Sequence, residues 1–358
     1  MERYDVLVIG SGPGGYVAAL RAGQLGLRTA LVERDPWLGG TCLNRGCVPT
    51  KHLLHVADLF HRVTRGEGGI RAGDLQLDLA TTLAEKTTLI EKLRKGIASL
   101  EKKHRVTVLR GVGRLVSAGR VAVETTDGTL DLAADHVILA TGSRVALPPF
   151  VPTHPRVISS DGALELTALP PRLLILGAGA VGLEFATVFA SFGSSVTLVE
   201  LEDQVAPGEE PKLAQLLARS LKRSLKVNVL TGTRVDGIEP GDDGVRVTWT
   251  DPRGRTGDGT FDALLVAVGR APNVEDLGLE AAGVRLEAGR VAVDSMYNTS
   301  VPGIRAIGDL VATPWLAHVA HHEALIAVND IAGLAPHPLD LDRIPMCIYS
   351  SPEYARVG

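Results

Sequence analysis

The chain has 358 residues, 45% of them hydrophobic, and a formal net charge of −4. That supplies apolar material for two cores of ordinary domain size, and the charges are too evenly mixed for a nucleic-acid or anionic-membrane footprint. No apolar run reaches the roughly 18 residues of a membrane span, and the N-terminus lacks the basic flank, apolar stretch and cleavage site of a secretory signal; the expected location is the cytoplasm, where a disulfide is usually catalytic.

Residues 4–9, Tyr-Asp-Val-Leu-Val-Ile, read as a buried strand running into Gly10, Ser11, Gly12, Pro13, Gly14 and Gly15, then into an Ala-rich helix from about Tyr16 to Leu25. Strand, glycine turn and helix make a phosphate cradle, and Glu33 closes the next strand, where an acidic residue accepts ribose hydroxyls. Next comes Cys42-Leu43-Asn44-Arg45-Gly46-Cys47. Residues five apart on a regular helix are displaced by roughly 7.5 Å, beyond the roughly 4.4–6.8 Å between the Cα atoms of a usual disulfide. Cys42 and Cys47 therefore pair only across a distorted turn, for which Asn44 and Gly46 supply tolerant backbone. A strained, accessible bond of that kind is easily reduced. If a helix starts near Cys47, its N-terminal dipole and Lys51 both favour a thiolate there. The competing reading is two buried free cysteines; Cys347, the third, is expected in the core.

A long helix is predicted from about Leu75 to Lys103, with apolar spacing at Leu79, Leu83, Ile90, Leu93 and Ile97. Short alternating strands follow, from Val106 to Leu130, with a hairpin at Asp127-Gly128, and the strand 137–141 ends on Gly142. The pattern then repeats. Residues 172–176 lead into Gly177, Ala178, Gly179, Ala180, Val181 and Gly182, a helix to about Phe192 and a strand at 195–199 closed by Glu200. Gly10 and Gly177, Gly12 and Gly179, Gly15 and Gly182, Ala19 and Ala186, and Glu33 and Glu200 are each 167 residues apart. Packing glycines in an ordinary α/β turn account for either block alone, but not for both with matched acidic residues. Glu200 repels a 2′-phosphate and no arginine follows it, so the second site reads as NAD rather than NADP. A second set of alternating strands has its turn at Asp242-Asp243-Gly244, and the strand 264–268 ends on Gly269. A loop-rich stretch, the strand at 304–307 and a helix from about Ala317 to Ile331 then return to the first fold.

The segments 39–51 (Gly-Gly-Thr-Cys-Leu-Asn-Arg-Gly-Cys-Val-Pro-Thr-Lys), 140–143 (Ala-Thr-Gly-Ser), 177–184, 268–273 (Val-Gly-Arg-Ala-Pro-Asn) and 306–309 (Ala-Ile-Gly-Asp) together resemble the pyridine nucleotide-disulfide oxidoreductases over the whole chain. Leu43, Glu200 and Leu316-Ala317-His318 are most similar to the dihydrolipoamide dehydrogenase branch. The resemblance implies an α/β chain of two Rossmann-like domains, each with a small antiparallel insert: an FAD-binding domain at 1–145 and 272–341, an NAD-binding domain at 146–271, and the start of a dimerisation domain at 342–358. It implies electron transfer between dihydrolipoyl groups and NAD through the disulfide and FAD. Cys42 is then the interchange thiol and Cys47 the thiol facing the flavin, with Lys51 beside the flavin and paired with Glu184. FAD falls to Gly10, Gly12, Pro13, Gly14, Gly15, Glu33, Arg34, Gly40, Thr41, Cys42, Lys51, Gly113, Ala140, Thr141, Gly142, Arg270, Gly308, Asp309, Ala317 and His318. NAD falls to Gly177, Gly179, Ala180, Val181, Gly182, Glu184, Glu200, Val235 and Gly269.

Two departures stand out. Arg45 replaces a small aliphatic residue; it is either a cation that lowers a thiol pKa or attracts an acidic substrate, or a solvated surface arginine. The chain also stops where the family continues into the dimerisation domain with its His–Glu acid–base dyad, so poor turnover and a weakened or absent homodimer are expected. His52 and His55 read as ordinary helix residues. His318, His321, His322 and Glu323 look like metal ligands, but no second ligand set stands at suitable spacing and no metal is assigned. The expected partner is a lipoyl-bearing domain or a small dithiol, with neither nucleic acid nor membrane. The rival readings are another NADH-dependent disulfide or mercuric-type reductase, and a non-catalytic redox-sensing module.

Overall fold

The structure is a computed structural model describing residues 1–358. The first fold begins with β1 (Glu2–Ile9), α1 (Pro13–Gln24) and β2 (Thr29–Glu33), and continues through α2 (Gly40–Arg45), α3 (Cys47–Thr64) and α4 (Leu79–Lys103). Strands β3 (Thr107–Arg110), β4 (Val112–Ser117), β5 (Arg120–Thr125) and β6 (Gly128–Leu139) complete its sheet, and β7 (Ser143–Val145) leaves it. The second fold comprises β8 (Val157–Ser159), α5 (Ser160–Ala163), β9 (Arg172–Leu176), α6 (Ala180–Ser191), β10 (Ser195–Val199), α7 (Pro211–Ser224) and β11 (Asn228–Leu230). It ends with β12 (Arg234–Gly241), β13 (Gly244–Thr250), β14 (Thr256–Phe261) and β15 (Ala263–Val266). The chain returns through β16 (Arg270–Pro272), β17 (Leu286–Glu287), β18 (Arg290–Val291), β19 (Ile304–Ala306) and α8 (Ala317–Ile331), and finishes in the hairpin β20 (Pro345–Ile348) and β21 (Tyr354–Val357).

The 167-residue repeat governs strand register as well as motif. Leu7 pairs with Ala30 in the first parallel sheet, and Leu174 pairs with Thr197 in the second. Core strand orders match too: β3-β2-β1-β6-β19 in one, β11-β10-β9-β15-β8 in the other. Residues 304–306 join the first sheet, where β19 pairs parallel with β6, and α8 packs on α1. The two antiparallel inserts differ in construction. In the first fold β4 and β5 extend the same sheet, because the twelve-residue β6 pairs antiparallel with β5 at its start and parallel with β19 at its end. In the second, β12-β13-β14 form a separate sheet. Alternate residues of β9 serve the two faces: Leu174 and Leu176 meet Val245, Val247 and Phe261 of the insert, while Leu173 and Ile175 meet α6 residues such as Phe185 and Leu183.

Several boundaries differ from the sequence expectation. Helix α1 starts at Pro13 rather than Tyr16, since proline costs nothing where the N–H has no helical partner. Helix α4 starts at Leu79, capped by Asp78, whose carboxylate accepts from Thr81 N at 3.0 Å. Of the predicted apolar stripe, Ile90 is buried and Leu83 and Ile97 pack against the two cores, whereas Leu93 is exposed and the inward side also carries Thr82, Lys86 and Glu101. Lys86 Nζ donates to the Leu164 carbonyl, stitching α4 to the second fold. Cys347 is exposed rather than core, because strand β20 turns that residue away from the apolar side where Ile348 is buried. No helix is long and apolar enough to cross a membrane.

The Glu101 carboxyl is 1% exposed and finds no hydrogen-bond partner, and burial pushes its pKa from 4.5 up to about 8. The folded chain therefore retains a proton that the unfolded chain releases above 4.5, so stability falls as pH rises through that window and levels off above about 8. Glu101→Gln is expected to flatten that slope, raising the melting temperature more at pH 8 than at pH 5 in a buffer series.

Candidate functional site

Each glycine cradle divides its work in the same way. Gly10 and Gly177 hold φ of +99° and +102°, and a Cβ on either would lie 2.4 and 2.5 Å from the Ala140 and Ala267 carbonyl oxygens. Gly15 and Gly182 lie so close to the Gly10 and Gly177 carbonyls that a Cβ would come within 1.8 and 1.9 Å. Those four glycines are required by the chain itself. Gly12 and Gly179 are not: both are extended, and a Cβ there would meet nothing within 4 Å. The open space lies at the N-termini of α1 and α6, where unpaired N–H groups attract phosphate, so the residues present fit a dinucleotide pyrophosphate. Pro13 and Gly14, and Ala180 and Val181, form the first turns of these helices.

The acidic residues are also matched. Glu33 accepts from Ser11 N at 2.8 Å and Asp35 N at 2.8 Å; Glu200 accepts from Ala178 N at 2.6 Å and Glu202 N at 3.0 Å. Each carboxylate thus ties the cradle to the end of the second strand, beside the place where a ribose would lie. Arg34 is exposed on the loop after Glu33, and Val235 is half-buried beside the second sheet. Gly113 has a packing reason for its identity, since a Cβ there would sit 3.1 Å from both Ile9 and Val32.

The disulfide segment is built directly onto the first cradle. Gly39 N donates to the Ser11 carbonyl at 2.9 Å, and a Cβ on Gly40 would lie 2.5 Å from Gly12 Cα, which leaves Gly40 and Thr41 beside the phosphate space. Helix α2 stops at Arg45, Gly46 breaks the path at φ −144° and ψ −110°, and α3 starts at Cys47. That break brings the Cα atoms of Cys42 and Cys47 to 4.6 Å and the two sulfurs are bonded. Asn44 takes no part in the distortion: it stays helical, donating to the carbonyls of Leu38 and Gly40 and accepting from Arg94 Nε at 2.6 Å. Arg45 stays partly solvated, its side chain 40% exposed. Its guanidinium is paired with Asp35 and lies 3.9 Å from Asp161 of α5, which neutralises it and links the two folds.

Lys51 lies one turn into α3, and its Nζ donates to both oxygens of Glu184 on α6 at 2.9 Å. Glu184 is buried and also accepts from Tyr349 N at 3.1 Å, a partner 165 residues away that no local signal announces. His52 meets the Thr82 carbonyl and His55 is exposed, as expected of ordinary helix residues.

A third group of residues gathers where β7, β16 and α8 meet. Thr141 and Asn273 are joined by two hydrogen bonds of 2.9 Å, next to Gly142 at φ +68°. Arg270 donates to the hydroxyl and carbonyl of Ser143 at 2.7 Å, and the Ser143 hydroxyl donates to Asp309. Burial pushes the Asp309 carboxyl above its ordinary range, opposed by Ser143 and by the charge of Arg270. Glu323 does not look outward with the neighbouring histidines: fully buried, it accepts from Gly308 N and the Thr313 hydroxyl at 2.5 Å, and burial pushes its pKa up to about 7. His321 instead meets the Tyr16 hydroxyl at 3.1 Å and His318 the Pro345 carbonyl at 2.9 Å, so these side chains diverge. Ala317 opens α8. Val268 and Gly269 stand at the mouth of the second cradle, beyond the Ala267 carbonyl that Gly177 approaches.

The division of labour among the glycines is testable. Gly12→Ala is expected to leave the melting temperature of the ligand-free chain unchanged while weakening dinucleotide retention by more than about tenfold, and Gly179→Ala to do the same at the second cradle. Gly15→Ala, with no space for its methyl group, is expected to prevent folding of the first unit. Thermal unfolding and equilibrium dialysis distinguish these outcomes.

Comparison with known proteins agrees with this geometry. The family model described as pyridine nucleotide-disulphide oxidoreductase matches residues 4–324. Dihydrolipoyl dehydrogenase 1 of Arabidopsis thaliana, a mitochondrial protein, is 39% identical over 365 residues, covering 100% of this chain and 71% of its own length. Dihydrolipoyl dehydrogenase 3 of Pseudomonas aeruginosa is 41% identical over 364 residues, covering 100% of this chain and 77% of its own. The crystal structure of LpdA from Mycobacterium tuberculosis superposes with a TM-score of 0.90 at 29% identity, over 100% of this chain and 78% of that one. The family's cofactors, FAD and NAD, are therefore those of this chain, which belongs to the pyridine nucleotide-disulphide oxidoreductases.

Proposed function

We propose that this chain is of the dihydrolipoyl dehydrogenase type and moves two electrons between a dihydrolipoyl group and NAD through the Cys42–Cys47 disulfide and FAD. The single observation that carries the reading is the seating of that disulfide on the first glycine cradle, one helical turn before the Lys51–Glu184 pair that joins the two folds. In this reading the FAD-binding unit is 1–145 with 272–341, the NAD-binding unit is 146–271, and 342–358 lies outside both. The relatives' names point to a dihydrolipoyl group as substrate, carried in this reading by a lipoyl-bearing protein domain or a small dithiol.

The chemistry assigned to the chain's own atoms balances. One substrate thiolate attacks Cys42 Sγ, breaking its bond to Cys47 and leaving a mixed disulfide on Cys42 and a thiolate on Cys47. The second substrate thiol, losing its proton, attacks the substrate sulfur of that mixed disulfide, closes the lipoyl ring and frees Cys42 as a thiol. The N-terminus of α3 supports the Cys47 thiolate with its dipole. FAD, when bound, would supply the two-electron redox chemistry that links the dithiol to NAD⁺. Gly10, Gly12, Gly15, Glu33, Gly40 and Thr41 would hold its adenosine and pyrophosphate, and Thr141, Gly142, Arg270, Gly308, Asp309, Ala317 and His318 the remainder. Gly177, Gly179, Gly182 and Glu200 would hold NAD, the Glu200 carboxylate disfavouring a 2′-phosphate.

Anaerobic titration of the FAD-loaded chain with dithionite or NADH is expected to produce a long-wavelength thiolate-to-flavin absorption band after two electrons. Cys42→Ser, which frees Cys47, is expected to display the band before any reductant is added and to lower lipoamide turnover to background. Bleaching of the wild-type flavin without the band would count against a coupled disulfide.

A further inference from the structure

Three segments far apart in the chain converge on one ammonium group. Lys51 Nζ from α3 lies 2.9 Å from both oxygens of Glu184 on α6, and the ring centroid of Tyr349, in the loop between β20 and β21, lies 4.8 Å from the same nitrogen. The Tyr349 N–H donates to Glu184 Oε1 at 3.1 Å. One residue therefore touches both members of the pair, the cation through its ring face and the anion through its backbone. Its segment is anchored on both sides. Upstream, His318 Nε2 meets the Pro345 carbonyl at 2.9 Å; downstream, Ser350 is buried, and buried Glu209 accepts from the Tyr354 hydroxyl at 2.7 Å and Arg356 Nε at 2.6 Å.

The Lys51 side chain remains 36% exposed, and an ion pair open to water on that scale does not by itself hold a four-carbon stem in one rotamer. The Tyr349 ring, itself 41% exposed, adds cation–π attraction on a third side of the ammonium. We propose that Tyr349 is a positioning residue for Lys51, its ring pinning the ammonium against Glu184 so that the positive charge stands at one place beside the disulfide helix. This rests on the functional reading above and adds to it a residue from outside both nucleotide folds. The ring face does the work and the hydroxyl makes no contact with the pair, so phenylalanine is expected to substitute and an aliphatic residue is not.

The test uses the full chain loaded with FAD and compares wild type, Tyr349→Phe and Tyr349→Leu, all of which keep the backbone N–H on Glu184. Tyr349→Leu is expected to lower lipoamide kcat by about three- to tenfold with little change in KM, and to reduce the long-wavelength band of the two-electron-reduced protein in parallel. Tyr349→Phe is expected to stay within about twofold of wild type on both measures. A leucine variant matching wild type, or a phenylalanine variant falling as far as leucine, overturns the inference alone; a wild-type protein without the band overturns the functional reading and this inference together. Should the leucine variant fail to fold, the wild type still answers. With ¹³Cε-labelled lysine, one Hε resonance is expected upfield under the ring current and missing in Lys51→Arg, and its absence overturns the assignment.

Discussion

Lys51 and Glu184 meet across the seam between the two nucleotide folds, and most of the site's geometry depends on that contact. A buried carboxylate is costly unless its oxygens are satisfied, and Glu184 achieves this with an ammonium from one side and a peptide N–H from another. The pair determines where α3 lies against α6, and therefore where the disulfide at the head of α3 stands relative to the second cradle. Leu53, Leu54 and Ala57 of α3 reinforce this by packing into the core of the second fold rather than the first. The redox helix thus belongs by chain order to one unit and by packing to the other.

The two cradles show how one local solution serves two sites. Their first and third glycines are dictated by contacts of the chain with itself, whereas the second glycine leaves a space that nothing in the protein fills. Identical residue types at identical spacing therefore arise from different causes, and only the middle glycine is a statement about a ligand. The Glu33 and Glu200 carboxylates bind the same peptide groups at the same register, which keeps each cradle rigid before anything enters it.

The Cys42–Cys47 segment separates local from distant causes further. Reach alone requires a broken helix between the cysteines, and Gly46 supplies the break. Asn44, equally tolerant of unusual backbone, instead spends its side chain joining α2 to α4 through Arg94. Arg45 carries a charge that proximity in sequence assigns to the thiols, yet its guanidinium is turned to Asp35 and towards Asp161. Glu323, flanked by histidines in sequence, points inward to Gly308 while His318 and His321 find partners of their own.

Features governed by neighbours within a few residues were legible from the residues alone: the paired cradles, the strand that each acidic residue closes, the hairpins at Asp127-Gly128 and Asp242-Asp243-Gly244, and the need for a distorted turn between the cysteines. Backbone angles, helix period and strand alternation are local properties, so a repeat of 167 residues carries them intact into both sheets. The burial of Lys86 and Glu101 on α4, the outward turn of Cys347, the pairing of Arg45 with Asp35 and the placement of Tyr349 over Lys51 were not legible. Each depends on which distant segment supplies the opposing surface, and side-chain periodicity names a face without naming its partner. Folding decided those partners by bringing complementary groups from distant segments of the chain together.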